Sequence, residues 1–278
     1  RQEKDSAIAL FKKAYDYALQ SDIKQSAADM AANTGDAYIF KDDLPKGAEW
    51  YRRALYLADS LNMSKKATAS IYMGLGRIYT QMQDYKSASK YYKDAEKQYD
   101  IMQPNMRIYF LNNYGNFYYY QHDYTNALKM FLRMKDEIER TQGADGNDAN
   151  DINLCRINLA DVYLNLGNID SAQVLVDKCE PFYRKYNVEV AIYYLNTIKI
   201  GICLKKNNLQ CVRNIIDGEN FRYAIEQPLK SIRARYMKDY YIMIGNYDKA
   251  LEIIEQSRQE QDSLAHNKMN MRTNEIML

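Results

Sequence analysis

GRIYTQMQDYKSASKYYKDA, residues 76–95, is the stretch on which the fold turns. It aligns without gaps to GDAYIFKDDLPKGAEWYRRA (35–54), GNFYYYQHDYTNALKMFLRM (115–134) and ADVYLNLGNIDSAQVLVDKC (160–179). Two looser copies begin at Ile200 and Lys238, and SAIALFKKA (6–14) reads as the second half of an earlier one. The opening column holds Gly35, Gly76, Gly115 and Ala160. Three residues later stand Tyr38, Tyr79, Tyr118, Tyr163 and Tyr241, with Cys203 the exception. Nine after the opener comes Leu44, Tyr85, Tyr124, Ile169, Leu209 or Tyr247. A small residue follows at Gly47, Ala88, Ala127, Ala172 and Ala250, with Val212 the misfit, and a large one at Tyr51, Tyr92, Phe131, Val176, Ile216 and Ile254. Small residues let two antiparallel helices approach, and the tyrosine and later aromatic fill the groove between them. Polar pairs such as Gln83-Asp84, His122-Asp123, Gly167-Asn168 and Gly245-Asn246 make the turn.

The run Leu75-Gly76-Arg77-Ile78-Tyr79, with Ala88, Tyr92 and Ala95 after it, resembles the tetratricopeptide repeat (TPR), a helix–turn–helix unit. Openers at 35, 76, 115, 160, 200 and 238 stand 41, 39, 45, 40 and 38 residues apart. The usual TPR period is about 34, so longer helices or looser connections are expected. Residues 143–151, GADGNDAND, read as a solvated loop whose carboxylates miss the calcium-loop spacing. The expected fold is all-α: a TPR-like α-α superhelix of a leading helix and six helical hairpins over residues 1–264. A final helix is expected from about residue 247 onward, with Leu264, Met271 and Leu278 at coiled-coil spacing, and 265–278 is the start of its C-terminal part beyond the array.

Composition narrows the function. The chain of 278 residues carries 38 Lys+Arg against 36 Asp+Glu, and neither a basic stripe nor an 18-residue apolar run interrupts it. A nucleic-acid partner is therefore not expected, and a membrane link would come only through segments outside this chain. No initiator Met opens the sequence and no cap closes its last helix, so it reads as a processed form or an excised piece. Cys155, Cys179, Cys203 and Cys211 form no CxxC pair and read as small buried thiols. His122 and His266 fall in no motif, and no nucleophile elbow, phosphate loop or zinc signature is present. The residues imply neither catalysis nor a metal or cofactor.

The TPR resemblance implies a concave groove that takes a peptide or protein and is lined by fixed positions of each first helix. Carried onto this sequence, the third hairpin presents Tyr109, Asn112, Asn113, Asn116, Tyr119 and Tyr120. Neighbouring hairpins add Arg77, Asn158, Asp161, Tyr194, Arg235 and Asp239. Asparagine recurs at one position as Asn33, Asn113 and Asn158, and an amide can both donate to and accept from a peptide backbone. Tyr119→Ala is expected to weaken binding. The fifth position of the first helix reads Ala32, Met73, Asn112, Ile157, Thr197 and Arg235, which lacks the lysines of chaperone-tail binders. The whole also looks like the TPR region of bacterial membrane-anchored signalling proteins, which implies a sensor on the periplasmic side and a homodimer through the last helix. A cytoplasmic TPR scaffold, or the accessory region of an enzyme whose catalytic domain lies beyond residue 278, stands as the alternative.

Overall fold

The computed structural model describes residues 2–276 apart from 22, 143–148 and 223–224. Among the described residues there are 13 α-helices and no strand. They group into two compact units, the first made of 1–121 with 263–278 and the second of 122–262. The first unit contains α1 (Gln2–Gln20), α2 (Lys24–Phe40), α3 (Leu44–Ser60), α4 (Lys65–Gln81), α5 (Tyr85–Glu96) and α6 (Pro104–Tyr120). The second contains α7 (Tyr124–Gln142), α8 (Ala149–Asn165), α9 (Ile169–Lys185), α10 (Glu189–Lys205), α11 (Leu209–Asp217), α12 (Gln227–Met243) and the start of α13 (Tyr247–Ile276). Consecutive helices pair as TPR-like hairpins, with α2 against α3, α4 against α5, α8 against α9 and α10 against α11.

One turn design recurs. Asp42, Gln83, His122, Gly167, Asn207 and Gly245, each seven residues after an opener, all have positive φ. The next residue is always Asp or Asn, and its side chain accepts the N–H three residues on. The pairs are Asp43 with Lys46 (3.2 Å), Asp84 with Ser87 (3.5 Å), Asp123 with Asn126 (3.1 Å), Asn168 with Ser171 (3.3 Å), Asn208 with Cys211 (3.0 Å) and Asn246 with Lys249 (3.2 Å). This is an N-cap, in which a side-chain oxygen takes a donor that the first helical turn leaves orphaned. The capping residue's own N–H also bonds back to the carbonyl of the opener-plus-three residue, Tyr38, Tyr79, Tyr163, Cys203 or Tyr241. That bond closes the Schellman arrangement expected after a left-handed residue. The tyrosine column thus ends α2, α4, α8 and α12 as well as filling the groove.

The long period resides in the helices: α2, α4, α6, α8, α10 and α12 each have 17 residues. The expected loop is shorter than its polar composition indicates. Ala149, Asn150 and Asp151 already belong to α8, where the Asp151 carboxylate suits the positive end of the helix dipole. The rest of that loop and Leu278 lie outside the described residues, as does the side chain of Met271. Leu264 sits within the continuous α13.

The small columns are contacts. An added Cβ at Gly35 would stand 2.5 Å from the Tyr51 ring, and one at Gly74 would stand 2.1 Å from it. Tyr51 therefore lies between α2 and α4, only 5% exposed. Ala88, Ala127, Ala172 and Val212 are fully buried, so Val212 keeps the column's function with a larger side chain.

The cysteine expectation needs correction. Cys155 and Cys179 are free and buried, and burial pushes each thiol up to about 12. Cys203 and Cys211, by contrast, are joined in a disulfide that ties α10 to the first turn of α11, with Cα atoms 5.9 Å apart. They are eight residues apart across a turn, so the pairing depends on the hairpin and not on a local motif.

Gly74→Ala should cost about 1–3 kcal/mol, because a packed ring must leave its position. Thermal unfolding followed by circular dichroism measures this, and Gly74→Ala with Tyr51→Leu should recover part of the loss.

Candidate binding surface

In the first unit, the residue after each opener lies on a first helix: Asp36 on α2, Arg77 on α4 and Asn116 on α6. Arg77 donates through Nη2 to Asp36 Oδ1, and the Tyr51 hydroxyl donates to the same oxygen at 2.9 Å. Arg77 Nε is buried without a hydrogen-bond partner among the described residues. Burial works against the Arg77 charge, but Tyr109, Asp36 and Tyr51 outweigh it and raise the guanidinium above its ordinary range. Tyr109 stands close enough to take part and is 45% exposed. Asn112 and Asn116 are half-buried on the same helix.

Two expected residues take other positions. Asn113 is buried and donates through Nδ2 to the Tyr109 carbonyl at 2.7 Å, so part of its amide serves its own helix. Tyr119 is 6% exposed, with its ring edge-on to Tyr120 at 5.6 Å. The Tyr120 carbonyl accepts from the Tyr85 hydroxyl at 3.0 Å. Of the expected residues Arg77 and Tyr109 come together, and around them stand two that the expected set omits, Asp36 and Tyr51. Asp36 shares Arg77's column, and a buried tyrosine hydroxyl needs a partner, so both were open to inference from the sequence.

In the second unit, Asp161 is fully buried on α8 and accepts from Asn165 Nδ2 at 2.9 Å and from the Tyr194 hydroxyl at 2.7 Å. Asn158, one turn earlier, is also buried. Arg235 is half-buried, its guanidinium 5.4 Å from the Tyr236 ring centroid, and donates to the Tyr124 hydroxyl at 3.0 Å. Burial, followed by the Asp161 charge, raises the Tyr236 hydroxyl well above the usual tyrosine range. Asp239 is exposed and pairs with Lys238 at 3.4 Å. Asp161, Tyr194 and Asn165 thus form one polar cluster, and Asp239 stands apart from it on α12.

Residues 26–100 match the family model for the tetratricopeptide repeat. That stretch carries the tetratricopeptide repeat. No curated protein matches the chain in sequence. Its fold is similar to a Rap protein solved complexed with competence and sporulation factor, with TM-score 0.67 and 14% identity over 96% of this chain and 72% of that one. It is also similar to aspartyl phosphate phosphatase F from Bacillus subtilis, with TM-score 0.65 and 17% identity over 93% of this chain and 67% of that one. Pseudomonas aeruginosa pilF matches with TM-score 0.51 and 17% identity, over 90% of this chain and 99% of that one. At these identities the likeness is one of fold.

The buried tyrosines give a pH signature. Burial raises Tyr51, Tyr92, Tyr183 and Tyr236 above the ordinary value. A group raised in the folded state adds stability that is full below the unfolded value, about 10, and is lost as pH climbs past it. In an alkaline titration read by tyrosinate absorbance, these four should ionise only in a cooperative step that coincides with loss of helix. Ionisation of every tyrosine with helix intact would contradict their burial.

Proposed function

We propose that this TPR region is a non-catalytic recognition module that takes a peptide or extended protein segment on the first-helix face carrying Arg77 and Tyr109. The observation that carries the reading is the exposed Tyr109 beside an Asp36–Arg77 pair braced from within by Tyr51. Tyrosine and arginine are the residues that dominate recognition interfaces, the first as a rigid amphipathic surface and the second as a five-donor fork. An arginine already oriented in the free protein also loses less rotamer freedom on binding. A fold neighbour complexed with competence and sporulation factor supports a protein-interaction role for this architecture.

We further assign the region to the sensing part of a bacterial signal-transduction protein, on the periplasmic side of a membrane. The Cys203–Cys211 disulfide supports this placement, since such bonds persist in oxidising compartments. Tyr247, Leu251 and Ile254 form an exposed apolar stripe at helical spacing on α13, which supports self-association through that helix. The phosphatase name of one neighbour belongs to that protein, and the two free thiols here are too high in pKa to serve as nucleophiles at neutral pH.

Panning a displayed random-peptide library on the protein and measuring a selected peptide by fluorescence anisotropy tests this reading. Tyr109→Ala and Arg77→Met should each weaken binding at least tenfold, about 1.4 kcal/mol. Tyr119→Ala, a core truncation, should instead lower the melting temperature. Affinity unchanged by both surface variants would remove this face from the site.

A further inference from the structure

The second unit carries a cleft of about 690 Å³ whose origin lies in the fold. Where α9 has 17 residues as its hairpin's second helix, α11 has 9 and stops at Asp217. Two turns of helix are missing, and the adjoining half of α10 faces irregular chain. A missing helical segment would ordinarily be covered by apolar packing. Here the lining is instead rich in carboxamides: Asn187, Asn196, Asn208, Gln210, Asn214 and Asn220.

Several of these amides are fixed by bonds that use only part of their capacity. Asn208 accepts the Cys211 N–H through Oδ1, which keeps both Nδ2 protons. Gln210 Nε2 donates to Asn214 Oδ1 at 2.8 Å, which keeps Gln210 Oε1 and the Asn214 donors. Asn196 donates to Glu219, and Glu219 is clamped by Arg233 at 2.8 and 2.5 Å. Arg233 stacks on Tyr193, whose ring meets Phe221 edge-on at 5.4 Å. Phe221 is thereby held as an aromatic part of the lining, and the Cys203–Cys211 bond ties α11, which supplies Gln210 and Asn214, to α10.

We propose that this cleft binds a neutral polyhydroxylated ligand, a mono- or disaccharide. A hydroxyl donates and accepts at one atom, so a sugar offers paired donors and acceptors that match carboxamides held in fixed orientation. Phe221 supplies an apolar surface for the C–H face of the ring. The volume lies within the range of small-molecule sites. Each charged group of the lining already has a partner: Lys199 and Arg184 both bond Glu180, Glu219 bonds Arg233, and Glu189 accepts the Arg222 N–H. A charged ligand would have to compete with those pairs.

Calorimetric titration of the whole chain with maltose, cellobiose, lactose and N-acetylglucosamine, and with alanyl-alanine as comparator, tests the assignment. At least one sugar should bind saturably, and Asn214→Leu and Asn220→Ala should each weaken it at least tenfold with unchanged melting temperature. Tyr109→Ala, which disrupts the proposed peptide face, should leave sugar binding intact. Absence of sugar binding by the folded protein, preference for the dipeptide, or indifference to both asparagine variants would overturn the proposal.

Discussion

Reversing the chain after a 17-residue helix within three residues demands a left-handed conformation at one of them and a partner for the donors that the second helix exposes. This protein meets that demand the same way in all six copies, with a positive-φ residue followed by an Asp or Asn cap. Four of the six left-handed positions are not glycine, and a non-glycine residue there costs conformational energy. The capping bonds and the Schellman bond to the preceding helix offset it. Because the turn is fixed, the opener column faces the large residue sixteen positions on, and the Tyr51 ring can sit against both Gly35 and Gly74.

The proposed surfaces inherit that geometry. With the turns in register, the residue after each opener falls on a first helix, and Asp36 and Arg77 meet although they are 41 residues apart. Tyr51 serves both ends of the design, since its ring fills the α2–α4 contact while its hydroxyl braces the Asp36–Arg77 pair. The shortened α11 keeps its cap and turn but not its length, so the cleft opens without loss of register.

Much of this was legible from residues alone. The repeat columns and the all-helical fold follow from spacing, because a period near 40 residues records the same contacts over and over. Side-chain direction within the longer helices was harder to read. Asn113 and Tyr119 occupy groove positions by count, but the flanking helices bury them, and counting along one helix does not reveal what stands on either side. The Cys203–Cys211 bond was hidden for a related reason: it joins two helices across a turn and becomes visible only once the hairpin has formed. Asp151 was read as loop because its neighbours are polar, although polarity in a first turn is what a helix start favours.

Amide hydrogen exchange tests the repeated turn most directly. Six N–H groups, at Lys46, Ser87, Asn126, Ser171, Cys211 and Lys249, are predicted to exchange more slowly than the first amide of the same helices, at Leu44, Tyr85, Tyr124, Ile169, Leu209 and Tyr247. Equal rates within those pairs would contradict side-chain capping as the constraint that sets the array.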